Sequence, residues 1–510
     1  MPNPAASFRL LLVLAGGGVF SPGAGAALRD DVQHREWLQL RAPGLDIISD
    51  LSEPKLRTWA AEIVWFRAAL GSVLEIPGAL PDRPATIFLF SSDRAMRPFL
   101  PVIDGKPVRV AALFSESMDT RIGAVPLGGS RFETREKLYH ELTHWYLRRA
   151  GAIIPLWFEE GLAQAMESFT LQGDGFRVGA PRIDDFPRVR IAQASSLLPL
   201  LTRRELDYSR AGWKHGQTEL FYAQSAALTN LLLFGAKQGR LERFGSYIRA
   251  LRLGLPPERA FATGFGLSTE EARRQLEDYI RVPRWKIVTQ PLDRKIDPTT
   301  WVVGPLTGDQ LDRSFAALLI AHSQTTAAQA FLAPVLGRHP ADVAALELKA
   351  ASLVRENYAT LPGDAVGALV SAYQAGSRNP WICSLLGLAA LERTLTELTE
   401  GSTGRPIPSL AFFQCALERS PGFLPAYEGI ASLIITETEV SRAERALLAE
   451  AQFALAGSPA VQVALAHVDV LDAKPAAARM RLEQLLREQP DLPVEVRLQL
   501  SQMVNALPEI

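Results

Sequence analysis

Residues His140-Glu141-Leu142-Thr143-His144 place two histidines four apart with a glutamate between them, and Glu160 follows sixteen residues after His144. No other feature limits the fold as tightly. Positions i and i+4 share a face of an α-helix, so both imidazoles reach one metal ion only if this segment is helical. A carboxylate from the next helix completes three protein ligands and leaves one position open, the arrangement of a catalytic rather than a structural zinc. Glu141 then lies beside that position, where a carboxylate can hold and deprotonate a water on the metal and later return the proton to a leaving amine. Glu160 is the expected third ligand; spacing alone leaves its neighbour Glu159 open.

The flanking sequence fits two packed helices. Ser130-Arg131-Phe132-Glu133 has the S-x-x-E form of a capping box and predicts a helix start. Leu138, Leu142 and Trp145 form an apolar stripe beside the histidine face, and Gly151 is placed to end the helix. Pro155 precedes a second helix, expected over 156–168. Asp184, Asp185, Glu167 and Asp207 are available to orient the histidines, as outer carboxylates commonly do.

Upstream, residues 27–130 read as mixed α/β. Strands are expected at 45–48, 85–90, 108–114 and 120–127, with a helix over 54–74. Gly123-Ala124-Val125-Pro126 is expected on an edge strand, open to pairing with an extended peptide. Residues 131–282 form the expected helical zinc subdomain, with helices at 218–235, 241–251 and 268–281. The segment 170–215, rich in Gly, Pro and Arg, resists assignment, and its arginines at 182–190 read as a solvated loop. Residues 283–308 carry four prolines and read as a linker. From 309 to 510 the chain is almost entirely helical in pattern. Leu336, Leu417 and Leu486 each precede a proline by four residues, and breaks recur every 30–40 residues, as in helix-turn-helix repeats. The expected fold class is therefore an α+β domain, with a small mixed sheet and a helical active-site subdomain, followed by an all-α repeat domain.

Charge is nearly balanced, with Lys+Arg 54 against Asp+Glu 55, so no basic excess points to nucleic acid or an anionic membrane. Residues 1–26 read as a secretory signal: Arg9, an apolar run from Leu10 to Phe20, and Ala24-Gly25-Ala26 as the cleavage site. No later run is long enough to span a bilayer. An exported, periplasmic or secreted protein is expected. Export permits a disulfide between Cys383 and Cys415; two buried free thiols are the alternative.

The pairing of HELTH with WFEEGLA resembles the gluzincin group of zinc metallopeptidases, in the thermolysin-like peptidase MA superfamily. The resemblance extends over about residues 35–282 and is specific near 134–167. In that group the third ligand often sits in N-E-G-x-A or S-E-G-x-A, which aligns with Glu160-Gly161-Leu162-Ala163 and puts Glu159 where Asn or Ser is common. The C-terminal region resembles degenerate tetratricopeptide repeats, best at Ala426-Tyr427-Glu428-Gly429-Ile430-Ala431. The first resemblance implies one Zn2+ per chain on His140, His144 and Glu160. It also implies a tyrosine that donates to the oxyanion, for which Tyr222 is the best placed, ahead of His215. Related aminopeptidases carry a glutamate for the substrate's amino terminus upstream of the metal helix. None occurs in 121–129, which favours an endopeptidase. The expected partners are a peptide or protein substrate and a protein on the repeats. The alternative is a catalytically vestigial scaffold that binds protein partners through those repeats.

Overall fold

The computed structural model describes all residues except 1–21, 76–84, 104–105, 109–111, 117–120, 129, 149–153, 181–196, 204–216, 236–239, 253–254, 282–284, 293–296, 357–360, 393–394, 396–397, 399–405, 456, 490–491 and 509–510. The strands are β1 (Leu38–Ala42), β2 (Leu45–Ser49), β3 (Ala85–Phe90), β4 (Val102–Ile103), β5 (Lys106–Pro107), β6 (Leu113–Glu116), β7 (Arg121–Pro126), β8 (Thr170–Gln172), β9 (Gly175–Val178), β10 (Val288–Pro291) and β11 (Val302–Pro305). Six of them form a mixed sheet in the order β11-β1-β2-β3-β7-β6. The neighbours β2, β3 and β7 are parallel, and the remaining pairings are antiparallel.

The central strand β3, Ala85-Thr86-Ile87-Phe88-Leu89-Phe90, is a continuous apolar run because both faces of the sheet are covered. Side chains alternate across the pleat, so Ile87 and Leu89 enter one core while Phe88 and Phe90 enter another. The first core receives α2 (Glu53–Val73), α4 (Arg131–Arg148) and α5 (Leu156–Glu167). The second receives α1 (Pro22–Gln33), α11 (Gly308–Ala321) and α12 (Thr325–Arg338). Between them in the chain run α3 (Asp93–Met96), α6 (Leu198–Thr202), α7 (Gln217–Thr229), α8 (Arg240–Arg252), α9 (Pro257–Phe265) and α10 (Thr269–Arg281).

Three expectations need correction. Residues 283–308 are not a plain linker: β10 pairs with β9, and β11 adds an edge strand beside β1. Pro291 and Pro305 stand at strand ends, where a missing N–H removes little from a ladder, so these prolines punctuate strands. Gly123–Pro126 is not at an edge: β7 lies between β3 and β6, and the edge strand is β6, which folds back antiparallel on β7. The boundary at 309 is displaced as well, because Leu311, Phe315 and Leu318 of α11 share a core with Ile48, Phe88 and Ile122 of the sheet. Buried Asp312 of α11 accepts from Arg29 Nε and Nη2 at 2.9 and 2.8 Å, pinning α1 to the same layer. The expected signal cleavage after Ala26 falls inside α1, where a Cβ on Gly25 would lie 3.0 Å from Ala330 Cβ. Residues 1–21 of that expected signal lie outside the described residues.

Beyond α12 the chain continues as α13 (Val343–Glu356), α14 (Gly363–Gln374), α15 (Pro380–Leu391), α16 (Ser409–Arg419), α17 (Leu424–Thr436), α18 (Arg442–Ala454), α19 (Pro459–Leu471), α20 (Pro475–Glu488) and α21 (Val494–Ala506). From α11 onward the helices pack in successive pairs. The first helices of the pairs, and α21, start at 308, 343, 380, 424, 459 and 494, spacings of 35, 37, 44, 35 and 35 residues. A tetratricopeptide repeat has 34. Leu336, Leu417 and Leu486 each fall near the end of a second helix, as their prolines implied. Gly429, in the best-matching segment, is required by packing: a Cβ there would lie 2.2 Å from the Phe413 ring, which also presses on Gly387. Cys383 of α15 and Cys415 of α16 form a disulfide, with Cα atoms 6.0 Å apart. No helix among the described residues is long and apolar enough to cross a membrane.

Candidate metal centre

Helix α4 carries the motif as its stripe predicted. Leu138, Tyr139, Leu142 and Trp145 are buried in the first core, and Tyr139 stacks on Phe66 of α2 with centroids 4.7 Å apart. Ser130 Oγ accepts from Glu133 N at 3.3 Å at the helix start. Arg135, on the same helix, donates to Glu62 of α2 through both Nε, at 2.8 Å, and Nη2. That ion pair, with Glu62 buried and Arg135 partly exposed, anchors α4 to α2; the sequence offered only the oddity of a glutamate on the apolar face of α2, beside Ile63 and Val64.

Helix α5 delivers the carboxylates. His140 Nε2 and His144 Nε2 lie 3.1 Å apart, and Glu160 Oε2 lies 3.5 Å from the first and 3.3 Å from the second. Each imidazole turns its other nitrogen to a carboxylate of α5: His140 Nδ1 to Glu167 Oε1 at 2.7 Å, His144 Nδ1 to Glu159 Oε1 at 2.9 Å. A carboxylate only accepts, so each Nδ1 is the donor, and in the neutral ring each Nε2 keeps its lone pair. Two lone pairs and one carboxylate oxygen therefore face a common point. Glu160 Oε2 is buried there and makes no hydrogen bond among the described residues, its contacts to the imidazoles being poorly aligned for one. This geometry separates the two glutamates that spacing left open: Glu160 converges with the imidazoles, while Glu159 orients one of them.

The arrangement fits a divalent cation. Metal–ligand bonds of about 2.0–2.1 Å in tetrahedral geometry place ligand atoms about 3.3–3.4 Å apart. The observed edges of 3.1, 3.3 and 3.5 Å bracket that value. His140, His144 and Glu160 are the one such ligand group among the described residues. The charge balance agrees. The carboxylates of Glu159, Glu160 and Glu167 all face the two imidazoles, an acidic setting that suits a cation.

Without a cation, protons take its place. Burial opposes protonation of His140, but contacts with Glu160 and Glu167 outweigh it and raise its pKa to about 10. Burial likewise opposes protonation of His144, and Glu159 and Glu160 raise it to about 9. Burial alone raises the Glu160 pKa, but the two imidazoles hold it at about 2. A raised histidine pKa adds stability that is complete below its ordinary value of 6.5 and is lost as pH rises through the folded value. The metal-free protein is therefore expected to lose thermal stability from about pH 6.5 to 10. Zinc uptake at pH 7 should release one to two protons, read by calorimetry in buffers of different ionisation enthalpy. Uptake without proton release contradicts this charge assignment.

Helix α7 closes the site. Gly161 follows Glu160, and a Cβ on it would lie 2.2 Å from Thr229 Oγ1 and 2.3 Å from the Ser225 carbonyl oxygen, so α7 crosses α5 at backbone contact. The crossing brings the Tyr222 ring to 6.4 Å from that of His140. Glu141 is half-buried on α4. Of the expected orienting groups, Glu167 is in place. Asp184, Asp185 and Asp207 lie outside the described residues, as do His215 and Gly151. The contact of Glu159 with His144 was missed, because a residue directly adjacent to Glu160 carries no spacing signal of its own.

No family profile matches this sequence. No curated protein matches it either. Among solved structures the chain is similar to YrrB, described as a TPR protein with an unusual peptide-binding site. The identity is 17% and the TM-score 0.31, over 38% of this chain and 92% of that one. The gluzincin resemblance thus rests on the residues of this chain alone.

Proposed function

We propose that this chain is a zinc-dependent endopeptidase of gluzincin type, with His140, His144 and Glu160 as ligands. The observation that carries the reading is the triangle of Nε2, Nε2 and Oε2, with edges suited to a tetrahedral ion and its carboxylate oxygen without a hydrogen bond among the described residues. A zinc ion held there supplies Lewis acidity toward a substrate carbonyl and toward water. Glu141, next to His140 on the same helix, takes the proton from the attacking water and delivers it to the leaving amine nitrogen. Tyr222, on α7 beside His140, donates its phenolic hydrogen to the oxygen that becomes negative in the tetrahedral intermediate. The Glu62–Arg135 pair ties α4 to α2, and the Gly161 crossing ties α5 to α7. The strand β6, at the sheet edge among the described residues, is where an extended polypeptide would pair, with the Phe114 ring 5.0 Å from that of Trp145 on α4. The Cys383–Cys415 disulfide supports export to an oxidising compartment.

The test is hydrolysis of an unstructured polypeptide by the full chain. The proposal expects internal cleavage that a chelator abolishes and stoichiometric zinc restores. Zinc-loaded protein that cleaves nothing would overturn it in favour of a scaffold acting through its repeats. Tyr222→Phe should lower kcat roughly 10²-fold while leaving KM within a few-fold, since the donor acts on charge that develops only in the transition state. An equal loss in KM alone would reassign Tyr222 to substrate binding.

A further inference from the structure

We infer that Glu159 and Glu167, neither of them a ligand, set the strength and geometry with which the centre holds its ion. The inference rests on the metal-centre reading above and deepens it. Each carboxylate serves one histidine, Glu167 at 2.7 Å from His140 Nδ1 and Glu159 at 2.9 Å from His144 Nδ1. Both belong to α5, the helix that supplies Glu160. One short helix therefore provides the third ligand and fixes the ring orientation of the other two.

Two physical effects follow. A ring nitrogen that donates to a carboxylate shifts electron density toward the opposite nitrogen, so Nε2 becomes a stronger donor to a cation. The same bond also fixes ring rotation; a freed imidazole could turn and present carbon where the lone pair now points. Charge-assisted hydrogen bonds are about twice as strong as neutral ones, and more so away from water. The Glu167 side chain is 8% exposed and makes the shorter bond, whereas that of Glu159 is 14% exposed. Glu167 therefore has the larger effect.

Glu159→Gln and Glu167→Gln in the full chain keep an acceptor oxygen and nearly the same volume but remove the charge. Zinc affinity is measured by competition with a chromophoric chelator, and ligand geometry by the visible absorption of the cobalt-substituted protein. We expect one zinc per chain in every variant, about 10-fold weaker binding for Glu159→Gln and up to about 100-fold for Glu167→Gln, with shifted cobalt bands in both. Glu167→Asp restores the charge and should recover part of the loss, which a purely packing role would not allow. Should Glu167→Gln fail to fold, Glu159→Gln alone carries the test. Unaltered affinity and cobalt spectra in the variants, with normal binding by the wild type, overturn this inference. A wild type that takes up no zinc overturns the metal-centre reading instead, so the two failures are distinguishable.

Discussion

Glu141→Gln is expected to keep its zinc and lose its turnover. Glu141 does not belong to the triangle formed by His140 Nε2, His144 Nε2 and Glu160 Oε2, so an amide in its place leaves the ligand set intact. The amide cannot accept the proton of an attacking water, and positioned acid–base groups typically contribute 10²–10⁴-fold. We therefore predict a fall in kcat of about 10³-fold or more, with one zinc per chain retained and the thermal midpoint within a few degrees of wild type. Residual activity near that of the wild type would remove Glu141 from the mechanism. A simultaneous loss of zinc would mean instead that it helps hold the ion.

Gly161→Val should produce the largest change in stability of any single substitution near the site. Its Cβ would enter the space of the Ser225 carbonyl oxygen at 2.3 Å and of Thr229 Oγ1 at 2.2 Å. A backbone carbonyl inside a helix cannot swing aside as a flexible side chain can, so α7 must move away from α5. Overpacking of this kind costs about 1–3 kcal/mol, and the better helix propensity of valine returns only a few tenths. A net loss of about 1–2.5 kcal/mol is expected in denaturant unfolding of the N-terminal region. Activity should fall further than stability alone explains, because α7 carries Tyr222. Gly367→Ala in α14, where a Cβ meets nothing within 4 Å, is the control and should be neutral or slightly stabilising. Equal tolerance at both positions would contradict the close crossing of α5 and α7.

What could be read from the sequence depended on how local the determining physics is. The helix of the histidine pair was legible because helical spacing, the apolar stripe and the Ser130 start all fall within one segment. Strand β3 was legible because its apolar run has no other explanation. The repeats were legible in outline because prolines follow Leu336, Leu417 and Leu486 at fixed distance, although individual pair boundaries were not. By contrast, β10 and β11 are edge strands whose pairing partners lie far away in sequence, and their prolines disguised them. The order of β6 and β7 was hidden for another reason: the two are sequence neighbours, and nothing in either segment shows which of them lies at the sheet edge. The Glu62–Arg135 pair joins residues 73 apart. Such contacts appear only once the helices are assembled.

In the proposed centre, three side chains on α4 and α5 hold one divalent cation. Diffraction from crystals of the full chain, grown with equimolar zinc and collected on both sides of the zinc absorption edge, tests it directly. A single anomalous peak is expected about 2.0–2.2 Å from His140 Nε2, His144 Nε2 and Glu160 Oε2, with Glu159 and Glu167 still on the two Nδ1 atoms. Zinc found elsewhere or nowhere, with the imidazoles turned away from Glu160, would contradict it.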